Sequence, residues 1–196
     1  DKVESKKSKT DKIDDKKTTK IDYKDTTGLS KMKKESDALA SSVEALDKAD
    51  LYYTLKRLKE IDPKLLLCVH CEDPDMFRAF LNEVKEKKPD TTDVADWDAA
   101  RPDFVETNCA ISGMLINGEV QGNMHCVHTS AKKTLDAYEA LKNAGIPLGN
   151  VGIETCPQYL LLDKEHCTLD AKVNPAIHGK EDNEALWEGI RKGLVN

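Results

Sequence analysis

The sequence has no long apolar run. None of its stretches approaches the ~20 residues that a bilayer-spanning helix needs, and its first residues form no apolar signal segment. The expectation is a cytoplasmic protein with no membrane partner. An excess of positive charge is missing too. Thirty Lys and Arg face 36 Asp and Glu for a net charge of -6, which argues against a nucleic-acid partner, because such binders concentrate basic residues on one face. There is no internal repeat at a fixed period. Of the six cysteines, Cys68, Cys126 and Cys156 lie in or at the ends of apolar runs, where a free thiol behaves as a small hydrophobe. Disulfide density belongs mainly to small secreted domains, so free thiols are expected. The run Cys68-Val69-His70-Cys71 is no zinc cluster, since alternate residues of a strand point to opposite faces.

What the chain does contain begins after residue 27. Residues 1–27 are nearly all Lys, Asp, Thr and Ser, with nine lysines against seven acids. Such a segment buries too little apolar surface to offset its ordering entropy, so a disordered tail is expected. Residues 28–196 have globular texture. Leu51, Leu55, Leu58 and Ile61 recur at helical spacing, and Asp62-Pro63 ends that helix. Leu65 to Val69 is an apolar run that reads as a strand buried on both faces. An amphipathic helix is predicted over 75–87, a polar loop over 89–98, and a helix from Arg101-Pro102 to about Asn117-Gly118. A strand follows at Met124–Val127. Thr129 or Ser130 then caps a helix that Asn143-Ala144-Gly145 terminates. A strand at 151–155, an apolar turn at 159–162 and a helix at 181–192 that packs Leu186, Trp187 and Ile190 complete the pattern.

Alternation of helices and strands specifies an α/β fold with a parallel sheet and covering helices. Two of the strands run into histidines, His70 and His128. The carboxyl ends of parallel strands are where α/β barrels keep their chemistry, so a partial TIM-like (β/α) barrel is expected over 28–196. Neutral imidazoles from adjacent or alternate strands can converge on one ion, which makes His70 and His128 candidate metal ligands. His125, three residues before His128, faces the other side and reads as a hydrogen-bonded support. Glu72 and Asp73 read equally as ligand-orienting groups or a solvated pair, and His166 and His178 as solvated loop residues.

Several elements resemble one family, the cyclic amidohydrolases: dihydroorotase, dihydropyrimidinase (hydantoinase) and allantoinase. His70-Cys71-Glu72-Asp73 resembles its His-Ala-Glu-Asn element, and Met124 to Ser130 its His-x-x-His-x-Ser strand. Glu154-Thr155-Cys156-Pro157-Gln158-Tyr159-Leu160 is similar to its Glu-Thr-Cys-Pro-(His/Gln)-Tyr-Leu run, and Lys172-Val173-Asn174-Pro175 to its Lys-x-Asn-Pro-Pro run. Arg101-Pro102 with Glu106, and Glu184 to Trp187, fall in the same order, so the resemblance covers about two-thirds of the chain, from near Leu65 onward.

The resemblance implies an amidohydrolase-like barrel holding two divalent metals, usually Zn2+, that activate a hydroxide against a cyclic amide carbonyl. By position, His70 and His128 would bind the second metal. Asn174 would contact the ring of a small cyclic amide or ureide substrate. Gly28-Leu29-Ser30-Lys31-Met32-Lys33 fits a Gly-x-x-x-x-Lys pattern, which nominates Lys33 as the carboxylated bridging lysine. The family's His-x-His pair has no counterpart here, and its catalytic aspartate is expected beyond Asn196. Asp170 and Asp182 fall too early to replace it. The chain therefore reads as a central, weakly active or inactive fragment of a metal-dependent hydrolase, and as a homo-oligomer, since unpaired strand edges invite association. The alternative is a non-catalytic amidohydrolase-like assembly protein. The Asn-Pro run leans toward dihydroorotase or allantoinase and Gln158 toward dihydropyrimidinase, which leaves the substrate open.

Overall fold

The structure is a computed structural model that describes residues 47–195. Helix α1 (Lys48–Ile61) starts where the Asp47 carboxylate accepts from the Asp50 N–H at 2.8 Å and stops at Asp62, before Pro63. Strand β1 (Leu67–Val69) leads into α2 (Pro74–Lys87), which Asp73 caps through the amides of Asp75 and Met76. A short helix α3 (Val94–Ala99) precedes α4 (Asp103–Val120). Strand β2 (Asn123–Cys126), helix α5 (Lys132–Asn143) and strand β3 (Asn150–Ile153) follow. Helix α6 (Pro157–Leu161), a 3-10 turn at Leu169–Ala171 and helix α7 (Lys180–Arg191) close the described chain.

The three strands pair in parallel in the order β1-β2-β3, with Val69 opposite Cys126 and Cys126 opposite Ile153. Parallel neighbours need long crossovers, and α2 to α4 supply the first and α5 the second. The α/β part of the expectation thus holds, and the described strands form an open sheet. The core gathers Met124, Cys126 and Ile153 from the sheet with Leu55, Met114, Leu135 and Leu186 from the helices. At Gly118 the helix α4 approaches the chain after α5 so closely that a Cβ would lie 2.0 Å from the Pro147 carbonyl oxygen.

Four expectations need correction. The Leu65–Val69 run is not buried on both faces: only Leu67–Val69 forms the strand, Cys68 is exposed, and Leu66 keeps half of its surface in solvent. Within the described sheet β1 pairs with β2 alone. The loop expected over 89–98 contains α3, because Asp93 caps Ala95 at 3.0 Å, Val94 is buried, and Trp97 Nε1 donates to the Val173 carbonyl at 2.9 Å. Neither Thr129 nor Ser130 caps α5. Its N-cap is Ala131, without a side-chain bond of its own; the first-turn amide of Lys132 donates to Asp182 Oδ1 of α7 at 2.8 Å, while Glu106 of α4 accepts from Ser130 and Ala131 just before the helix. In α7 only Leu186 of the expected stripe is fully buried, while Trp187 and Ile190 are exposed. All six cysteines are free thiols, with Cys71 and Cys126 buried.

Candidate functional site

His70 follows β1 directly and His128 lies two residues past β2, so both stand at carboxyl ends of adjacent parallel strands. Their rings meet edge to face, with centroids 4.7 Å apart and planes at 67°. His70 Nδ1 and His128 Nε2 face each other at 2.8 Å. His128 holds this place with φ at 44°, a left-handed conformation uncommon outside glycine that clusters at functional sites. Its Nδ1 is buried and has no hydrogen-bond partner. Burial lowers the His128 pKa, reinforced by His70 beside it. The neutral ring, the form that can offer a lone pair, is favoured.

A line of polar contacts runs inward from this pair. His70 Nε2 lies 3.1 Å from Glu72 Oε2, and Arg101 Nη1 donates to the same oxygen. His70 is half exposed, whereas Glu72 and Arg101 are buried. Burial by itself would raise the Glu72 pKa, but the His70 hydrogen bond and the Arg101 charge outweigh it and lower it. The Arg101 guanidinium is held over the Phe77 ring at 3.7 Å and the Trp97 ring at 4.6 Å. On the neighbouring strand end, His125 Nε2 contacts Glu154 Oε2 at 3.2 Å, which fits the supporting role read for His125. The Glu154 backbone carbonyl accepts from the Thr129 N–H at 2.7 Å, and Thr155 Oγ1 donates to the Thr129 carbonyl at 2.7 Å.

The turn that carries His128 is held from beneath by Glu106. Its carboxylate accepts from Ser130 N at 2.9 Å, Ser130 Oγ at 2.6 Å, Ala131 N at 3.2 Å and Thr134 Oγ1 at 2.7 Å. Burial raises the Glu106 pKa, and the Ser130 and Thr134 hydroxyls and the Ser130 amide work against it.

The structure brings His70 and His128 together and adds Glu72, Arg101 and Glu106, whose partners the sequence reading had left open. Asp73 caps α2 and also receives the Asn108 amide at 3.2 Å, so it is a structural residue. Lys33 lies outside the described residues. Asn174 is exposed beside the buried Pro175. His178, expected to be solvated, is only 6% exposed and bonds Asp98 Oδ1 at 2.5 Å, with Lys164 on the other carboxylate oxygen at 2.7 Å. His166 is exposed, although its Nδ1 pairs with Asp163 at 2.6 Å.

Among the described residues no group of three or more His, Cys, Asp and Glu side chains converges as a metal cage. The pair His70 and His128 nevertheless fits two ligands of one ion. Their facing nitrogens are within about 0.5 Å of the roughly 3.3 Å that separates two nitrogens on a tetrahedral zinc. The remaining nitrogen of His70 is backed by a carboxylate, the usual support of a metal-ligating histidine.

Fold and site together define a class, an α/β protein with a histidine pair at the carboxyl ends of adjacent parallel strands. No protein-family model matches the chain. A dihydroorotase from Aquifex aeolicus is 28% identical over 130 residues, which is 65% of this chain and 29% of the relative. An allantoinase from Rubrobacter xylanophilus is 28% identical over 155 residues, 78% of this chain and 33% of the relative. A crystal structure of D-hydantoinase superposes with a TM-score of 0.66 at 26% identity, covering 76% of this chain and 32% of that one. The resemblance read in the sequence is borne out: the chain is a relative of the cyclic amidohydrolases. It spans about a third of the length of the proteins it matches.

Proposed function

We propose that the chain carries one side of the divalent-metal site of a cyclic amide hydrolase built on a (β/α) barrel. The observation that carries this reading is the approach of His70 Nδ1 to His128 Nε2 at 2.8 Å, from adjacent parallel strand ends. In this reading the two histidines hold one Zn2+, Lys33 supplies a carboxylated bridge to a second ion, and Asn174 contacts the ring of a small cyclic amide or ureide. A bound divalent ion supplies Lewis-acid polarisation of the carbonyl and a more acidic water. The chain's own residues do the rest. His70 offers Nδ1 outward because its Nε2 proton is committed to Glu72. His128 stays neutral by burial, and Glu106 fixes the backbone from which it projects.

The relatives named dihydroorotase, allantoinase and D-hydantoinase support a ring-opening hydrolysis without choosing among rings. The 196 residues by themselves are expected to turn over little substrate, since the first-metal histidines and the proton-shuttling aspartate have no counterpart in them. A homo-oligomer in the cytoplasm is part of the same proposal.

Zinc binding by the full chain provides the test, read by competition with a chromophoric chelator. One weakly held ion is expected, lost in both His70→Ala and His128→Ala. Undiminished binding in either variant refutes the histidine pair as the site, and binding by neither wild type nor variants refutes the metal reading.

A further inference from the structure

Glu72 and Arg101 form an ion pair whose bland interpretation is packing of two charges in the interior. Two features oppose it. A buried ion pair is weak support for stability, since apolar replacements of similar volume are often neutral or stabilising. The pair also carries an evident cost, because the Arg101 Nε is buried with no hydrogen-bond partner among the described residues. Among the described residues, the pair is linked toward solvent through His70. The same oxygen, Glu72 Oε2, takes both the Arg101 guanidinium and His70 Nε2, and His70 is the exposed member of the three.

We infer that Glu72, anchored by Arg101 between the rings of Phe77 and Trp97, is a positioning residue that fixes the tautomer and orientation of His70. A carboxylate can only accept, so Nε2 must carry the proton and the lone pair is left on Nδ1. That nitrogen is the one facing His128. The rotation of Glu72 is limited in turn by Arg101, whose guanidinium carbon lies over the Phe77 ring 3.7 Å from its centroid and over the Trp97 ring 4.6 Å from its centroid. Direction is thus transmitted from an aromatic box in the interior to one imidazole at the surface. No atom of Arg101 needs to reach a ligand for this to work.

The inference rests on the proposed metal site for its purpose but not for its test. Long-range nitrogen–proton NMR of the His70 ring, on the full chain without metal and at a pH where both imidazoles are neutral, reads the tautomer directly. Wild type is expected to hold the proton on Nε2. Glu72→Gln, whose amide can donate as well as accept, is expected to give a mixture of the two tautomers with unchanged far-UV circular dichroism. Arg101→Lys, which keeps the charge but loses the guanidinium held over the two rings, is expected to shift the ring in the same direction and less far. Zinc affinity should fall by about ten- to a hundredfold in Glu72→Gln, the usual consequence of removing a ligand's carboxylate support.

An unchanged His70 tautomer in Glu72→Gln overturns the inference. If that variant does not fold, Arg101→Lys decides in its place, and an unchanged tautomer there overturns it equally. Failure of both to fold assigns the pair to folding alone and also overturns the positioning role. A wild-type chain that binds no zinc while the tautomers shift as expected removes the metal reading and leaves the positioning role standing.

Discussion

Replacing Glu106 with alanine withdraws one acceptor from four donors at once. The Ser130 and Ala131 amides and the Ser130 and Thr134 hydroxyls all point at that carboxylate. The hydroxyls can turn elsewhere, and Thr134 Oγ1 already has Thr107 Oγ1 at 3.1 Å. The two amides cannot turn. Each buried donor left without a partner costs about 1–3 kcal/mol, so the pair of amides accounts for roughly 2–6 kcal/mol. Relief of the buried carboxylate's own desolvation offsets part of this, which places the expected loss near 3 kcal/mol. Urea denaturation followed by circular dichroism measures it as a fall in the midpoint at constant slope. Glu106→Gln should lose less, since its oxygen can keep one of the two amides while its NH2 donates to a Ser130 or Thr134 hydroxyl that turns to accept. A Glu106→Ala variant within 1 kcal/mol of wild type would refute the view that this carboxylate organises the turn after β2.

The Asp98–His178 contact gives stability a pH window. The His178 pKa is raised: burial opposes this, but the hydrogen bond and charge of Asp98 prevail. Its contribution is therefore complete below the unfolded value near 6.5 and is lost as pH rises through the higher folded value. Asp98 is lowered, with burial again opposing and the His178 and Lys164 contacts prevailing. Its contribution is present above an unfolded value near 3.9 and is lost as pH falls through the folded one. Denaturation midpoints across pH should fall on both sides of this window in wild type. His178→Gln should flatten the alkaline side, and an unaltered alkaline slope would contradict the assignment. Gly118→Ala places a Cβ 2.0 Å from the Pro147 carbonyl oxygen. The expected loss is at least about 3 kcal/mol, since backbone cannot yield as a side chain can. A thermal melt matching wild type would show that the helix α4 and the chain after α5 are not in contact.

The elements that the sequence announces are those whose signal is local. His70 and His128 follow apolar runs, and the pattern of strand then helix placed both at strand ends. The pairing between them depends on the adjacency of β1 and β2, which the α/β alternation left open between adjacent and alternate strands. What the sequence hid was the set of partners. Glu72 and Arg101 are 29 positions apart, and Glu106 and Ser130 24 apart, and nothing in residue spacing ties a carboxylate to a donor at that distance. Thr129 and Ser130 looked like caps because short hydroxyl residues before an apolar stripe commonly are, yet a carboxylate from another helix supplied the acceptor. The helix α3 escaped notice because its six residues hold only Val94, Trp97 and two alanines as apolar residues, though Asp93 before Val94 was a readable cap. His178 was misread as a solvated loop residue although Ala176 and Ile177 precede it; both are buried, and Asp98, 80 positions earlier, is its partner in space.

Helix α4 also works as a measuring stick for β2. Glu106, in its first turn, grips the chain that leaves β2. Asn117, near its other end, donates to the carbonyls of Gly122 at 3.3 Å, Leu148 at 2.8 Å and Asn150 at 3.1 Å, where β2 and β3 begin. Eleven residues of helix separate the two grips, about 16 Å of rigid backbone. The start of β2 and the turn bearing His128 are thereby tied to one body and cannot be adjusted independently. A substitution that slides α4 along its axis acts as a change of length standard: it retunes the spacing between His128 and His70 without touching either ring.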